Sequence, residues 1–101
     1  MAFRVELSPQ AQTQIAAINL WWAENRPAAP VLVAVEFQTA IQQLTTLPES
    51  GRLHDRRRQV YVRKLLMPRS RYHLYYEVDL ASRLVTILAV WHVSRRQGPK
   101  L

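Results

Sequence analysis

The sequence predicts an α+β domain ordered β-α-α-β-β-β, a helical hairpin packed on one face of a small antiparallel sheet. Three observations carry that expectation. A short alternating segment at the start runs into Ser8-Pro9, a helix-opening pair. Two stretches with apolar residues every three or four positions follow, divided by Asn25-Arg26-Pro27. From Val60 to Leu101 the pattern changes to β-type runs, with Arg, Lys and His threaded among Val, Leu, Tyr and Trp.

The elements follow in order. Phe3, Val5 and Leu7 alternate with Arg4 and Glu6, which describes a half-buried strand. Ser8 suits the N-cap and Pro9 the first helical position. Ala11, Ile15, Ile18 and Trp22 then step along one helical face. Trp21 and Trp22 point about 100° apart, so Trp22 belongs with the core stripe and Trp21 toward solvent. Pro27 disfavours helical geometry at Arg26 and ends this helix. Val33, Phe37, Ile41 and Leu44 mark a second helix over roughly 29–46, closed by Leu47-Pro48. The short link makes the two an antiparallel hairpin. Residues 52–59, RLHDRRRQ, read as a polar surface loop. Three strands follow at about 60–67, 70–79 and 84–92, with short, antiparallel connections. With 101 residues, the chain has room for one domain, taken as 1–101.

Composition narrows the function. The net charge is +7. Residues 1–51 hold two arginines against four glutamates, and residues 52–101 hold the other twelve Lys and Arg against three acids. The basic half should face a polyanion or an acidic protein segment. The chain has no cysteine, which excludes disulfide and thiol chemistry. Its three histidines are too scattered for a metal signature, so neither metal nor cofactor is expected. No apolar run reaches the length of about 18 residues that spans a bilayer. No membrane association is expected, and a cytoplasmic location is.

The candidate site comes from strand parity. Tyr72, Leu74, Tyr76 and Val78 share one face as core; Arg71, His73, Tyr75 and Glu77 share the other. Arg71, His73 and Tyr75 could form an anion site, with guanidinium for phosphate, imidazole for proton transfer and phenol for stacking or hydrogen bonding. A solvated face with ordinary cross-strand pairs is the plainer alternative. In the last strand Thr86, Leu88, Val90 and His92 alternate with Val85, Ile87, Ala89 and Trp91. Both sets are apolar, so the side taken by His92 stays open. His54 reads as solvated. Arg56-Arg57-Arg58 reads equally as a phosphate grip or a solubilising loop.

Four segments together resemble the RelE/ParE toxin superfamily of bacterial toxin–antitoxin modules. They are VELSPQAQTQI, LPESGR, VRKLLMPRSRYHLYYEVD and ILAVWHVSRRQGP, in that order across nearly the whole chain. The resemblance implies the same helical hairpin on a small sheet, no cofactor, and an antitoxin that covers the toxin with an acidic or amphipathic segment. Two branches follow from it. A ParE-like, plasmid-stabilisation member inhibits DNA gyrase and is not an enzyme; a RelE-like member is a ribosome-dependent endoribonuclease acting on messenger RNA. The WHVSRRQGP ending is similar to the ParE-like branch. A non-toxic basic nucleic-acid-binding domain is a third expectation. On either toxin reading Arg63, Lys64, Arg71, Tyr75, Arg95 and Arg96 would contact the target or its phosphates. His73 and His92 would be catalytic only in a nuclease.

Overall fold

The computed structural model describes residues 2–57 and 60–101. Its elements are β1 (Arg4–Leu7), α1 (Pro9–Asn25), α2 (Leu32–Thr46), β2 (Arg52–Arg57), β3 (Val60–Met67), β4 (Tyr72–Asp79) and β5 (Leu84–His92). The five strands form one sheet in the order β1-β5-β4-β3-β2. The α+β hairpin-on-sheet architecture is the expected one, with two additions. β1 lies parallel to β5, making the sheet mixed. Residues 52–57, expected as loop, form an edge strand antiparallel to β3. Arg58, the last of the arginine run, lies outside the described residues.

Local chemistry sets the helix ends. The Ser8 hydroxyl accepts the Ala11 N–H at 3.1 Å and donates to the Leu88 carbonyl at 3.0 Å, so one side chain caps α1 and ties it to β5. Arg26 closes α1 through its N–H to the Trp22 carbonyl. α2 starts at Leu32, later than expected, because Pro30 biases Ala29 away from helical geometry. Val31 precedes it with no side-chain cap.

Both helices cover one sheet face. Ala11, Ile15, Val33, Phe37 and Leu44 pack with Met67, Leu74, Tyr76, Val85, Ile87 and Val90. Each fully buried large aliphatic or aromatic side chain contributes about 1.5–3 kcal/mol. Trp22 joins the edge of this cluster, half-buried, and its indole N–H points to the Tyr72 hydroxyl at 3.4 Å. Trp21 is exposed and lies under the Arg26 guanidinium, 4.7 Å from its ring.

Two turns orient the sheet. Glu36 of α2 accepts the Arg69 and Ser70 N–H groups at 2.8 and 2.9 Å, pinning the β3–β4 turn. Burial opposes the charge on Glu36, but the Ser70 side chain, the two N–H donors and the charge of Arg69 together outweigh it and hold the carboxyl below its usual range. At the start of β2, the Gly51 N–H donates to the Tyr76 hydroxyl at 2.8 Å. The Arg63 guanidinium donates to the Gly51 carbonyl at 3.0 Å.

Candidate functional site

Residues that face one another across antiparallel strands share a side of the sheet. Leu65 pairs with Leu74, and Met67 with Tyr72, on the helix side. The intervening pairs, Lys64 with Tyr75 and Leu66 with His73, therefore look away from the helices. His73 in turn faces Trp91, and Tyr75 faces Ala89. The expected parity of β4 thus holds from Tyr72 to Val78.

This open face has a buried floor. Val62, Tyr75 and Ala89 are almost fully covered although no helix lies over them. Around the floor stand Arg52, Lys64, His73 and His54. Arg52 is the β2 partner of Lys64. Its neighbour His54 sits where the β2–β3 register shifts, at a bulge between Leu53 and Asp55. A bulge re-aims the extra side chain. His54 meets the Tyr75 ring edge-on, with centroids 4.9 Å apart. His73 approaches the same ring at 6.0 Å. Gly51, Arg52, Lys64, Leu66 and His73 line a depression of about 290 Å³.

The electrostatics follow from crowding. Burial depresses the pKa of His73 below its ordinary value, and Lys64, Arg71, Arg52 and His54 depress it further. At neutral pH its imidazole is uncharged and can accept a proton. Burial raises the pKa of Tyr75, leaving a phenol. Among the described residues the ion pairs are Arg4–Glu6 and Arg63–Glu49, so Arg52, Lys64 and Arg71 carry unpaired charge. An anion placed here would meet several cations and a neutral base. No cluster of metal-ligating side chains occurs among the described residues.

The remaining predicted residues distribute unevenly. Arg71 lies in the turn before β4 with φ 68°, not in the strand, and reaches the patch from its rim. Arg95 stacks on Trp91 at 4.0 Å from the ring centroid, extending the cationic surface along β5. Arg96 is exposed beyond it. Arg63 does not join them. It pairs with Tyr76 on the helix side, and its guanidinium is committed to Gly51 and, at 3.4 Å, to Glu49.

His92 is also displaced from His73. A second register shift, at Leu88, reverses the alternation expected for β5: Ile87 pairs with Tyr76 and Ala89 with Tyr75. Val90 and His92 then lie on the helix side and Trp91 on the open side. His92 meets Tyr72 edge-on at 4.9 Å, and its Nδ1 sits 2.7 Å from the Ser94 hydroxyl. It lines another cavity, of about 320 Å³, with Gln14, Ile18, Tyr72, Trp91 and Arg95, so Trp91 and Arg95 border the His92 side as well. The two histidines therefore occupy opposite faces. Arg52, His54 and Trp91 are site residues that the sequence reading did not select. The basic–apolar alternation of Arg52, Lys64 and Leu66 across two strands was the available signal.

A helical hairpin on one face of a mixed five-stranded sheet is the RelE/ParE-like fold. The family model for the ParE toxin of the type II toxin–antitoxin system parDE matches residues 5–97, and the chain belongs to that family. No curated protein sequence matches it. Among solved structures, the chromosomal ParDE toxin–antitoxin system of P. aeruginosa is similar with TM-score 0.71 and 15% identity, over 92% of this chain and 98% of that one. The intact E. coli RelBE complex aligns at TM-score 0.64 and 17% identity, over 93% of this chain and 100% of that one. The archaeal RelE–RelB complex from Pyrococcus horikoshii aligns at TM-score 0.57 and 16% identity, over 94% and 99%. Identities this low establish the fold alone. No described helix is long and apolar enough to cross a membrane.

Proposed function

We propose that the chain is a ParE-like toxin that inhibits DNA gyrase in the cytoplasm, acts in plasmid stabilisation and is silenced by a cognate antitoxin. The observation that carries this reading is the match of the ParE toxin model over residues 5–97. The placement of His73 and His92 on opposite faces supports it, since a nuclease using both would need them at one phosphate. Lys64, Arg71, Arg95 and Arg96 form the contact surface, with Tyr75 in its floor. Arg63 holds the strand entrance beneath it. An antitoxin partner is supported by the solved neighbours, which are toxin–antitoxin complexes. Adding purified protein to gyrase and plasmid should accumulate trapped cleavage complexes. Undisturbed supercoiling at large toxin excess would refute the reading.

One observation favours a second reading, a ribosome-dependent endoribonuclease. His73 is held neutral among Arg52, Lys64 and Arg71, the arrangement a general base beside a phosphate requires. His73 would take the proton of a 2′-hydroxyl as that oxygen attacks the adjacent phosphorus, the P–O5′ bond breaks, and solvent water protonates the departing 5′-oxygen. Primer extension on translated messages should then show cuts that His73→Gln abolishes. Intact messages in an active lysate would remove this alternative.

A further inference from the structure

The cavity of about 320 Å³ beside His92 lies on the helix side, between α1 and the end of β5. Its volume falls at the low end of the range for small-molecule sites, about 300–1,000 Å³. Ala17, Ile18 and Val90 give it an apolar wall. The polar side chains around it are Gln14, Tyr72, His92, Ser94 and Arg95, and no carboxylate lines it.

Hydrogen bonds inside the fold decide what those side chains have left to offer. Gln14 Oε1 accepts the Val90 N–H at 2.7 Å, which leaves the amide NH₂ as the spare function. The Tyr72 hydroxyl accepts the Trp22 indole N–H at 3.4 Å, so its own proton is available. His92 Nδ1 accepts the Ser94 backbone N–H at 3.1 Å. That bond needs a lone pair on Nδ1 and places the ring proton on Nε2. Arg95, stacked on Trp91, brings a guanidinium that can only donate. An amide, a phenol, an imidazole N–H and a guanidinium thus border one cavity as donors. The group that satisfies them is an acceptor carrying negative charge, and the wall behind it calls for hydrocarbon.

We propose that this cavity binds a small monocarboxylate with a short apolar tail, its oxygens held by Tyr72, His92 and Arg95 and its tail laid against Ile18 and Val90. A free acid and the C-terminal residue of a peptide share that chemistry. The inference goes beyond the gyrase reading and does not rest on it. Its test is binding to the isolated protein, so either can fail without the other.

The test is proton–nitrogen correlation NMR, following the Gln14 side-chain amide and the Trp91 indole N–H during titration. Isocaproate should give saturable shifts with a Kd of about 1 mM or tighter. Isocaproamide, which keeps the tail and loses the charge, should bind at least about 10-fold more weakly. Acetate should lose about fourfold for each tail carbon removed. Arg95→Gln should weaken isocaproate roughly 5- to 30-fold, and Tyr72→Phe roughly 2- to 10-fold. Arg83→Gln removes an equal charge at the other end of β5 and should leave the Kd unchanged. Arg95 and Arg83 are both exposed, so these two variants keep the fold. A glycyl-glycyl-leucine peptide that binds more tightly than isocaproate assigns the ligand to a peptide terminus; the reverse order assigns it to a free acid, and both support the proposal. No saturable shift by about 10 mM isocaproate, amide or acetate held as tightly as the acid, or equal losses from Arg83→Gln and Arg95→Gln would overturn it.

Discussion

Gly51 is where a single methyl group should do most damage per atom. A Cβ built there would lie 2.5 Å from the Tyr76 hydroxyl, 2.9 Å from Tyr76 Cε1 and 2.9 Å from the Lys64 carbonyl. Neither neighbour can give way cheaply. Tyr76 is completely buried, and the Lys64 carbonyl belongs to β3. Gly51→Ala therefore overpacks the site, at about 1–3 kcal/mol. It also strains the 2.8 Å bond from the Gly51 N–H to Tyr76, worth about 1 kcal/mol. The sum is about 2–4 kcal/mol, and for a domain of this size the melting temperature should fall roughly 8–30 °C. Urea unfolding of wild type, Gly51→Ala, Tyr76→Phe and the double variant measures it. Tyr76→Phe alone leaves the buried Gly51 N–H unpartnered, at about 1–3 kcal/mol. The double variant removes the hydroxyl that the new methyl strikes, so its loss should be smaller than the two single losses combined. A Gly51→Ala protein within about 0.5 kcal/mol of wild type, or strict additivity, would refute the reasoning.

Glu36 has a folded pKa below its unfolded one, so it contributes stability above about pH 4.5 that is lost as pH falls through the folded value. Stability curves between about pH 3 and 6 should be steeper for wild type than for Glu36→Gln; equal slopes would discount the turn clamp. His73 also titrates below its usual range, so its neutral form favours the fold above about pH 6.5, an advantage that fades as pH drops toward the folded value. Imidazole proton resonances should give a midpoint under about 6.5 that rises in Lys64→Gln, and a midpoint at or above that value would show the patch to be less crowded than described. Ser8→Ala removes both the α1 cap and the tie to Leu88, and should cost about 0.5–2 kcal/mol in thermal unfolding.

Much of this molecule could be read from its residues because local signals and tertiary packing agree. Ser8-Pro9 opens α1 where the pair predicts, and β5 occupies the expected 84–92. Alternation in β4 placed His73 and Tyr75 away from the helices because one side of that strand is clearly core. Three features escaped for definable reasons. β2 carries RLHDRR, with no apolar stripe, since an edge strand is specified by backbone pairing to β3 rather than by burial. β5 is apolar on both sides, so nothing in its pattern marks Leu88 as the residue that shifts the register. Arg63 looked like its basic neighbours. Period-two alternation sends it opposite Lys64, and only the structure shows Gly51 and Glu49 waiting there.

The pairing of β1 with β5 has a temporal consequence. Arg4–Leu7 waits for Leu84–Ile87, so the first strand made is completed by the last. β5 is also the neighbour that Tyr72–Asp79 needs on its other edge. During synthesis the sheet cannot close until Leu84–Ile87 has left the ribosome, and contacts this distant in sequence form slowly. A nascent chain cut short before β5 would lack the strand that both Arg4–Leu7 and Tyr72–Asp79 pair with, so it should fail to reach the closed sheet.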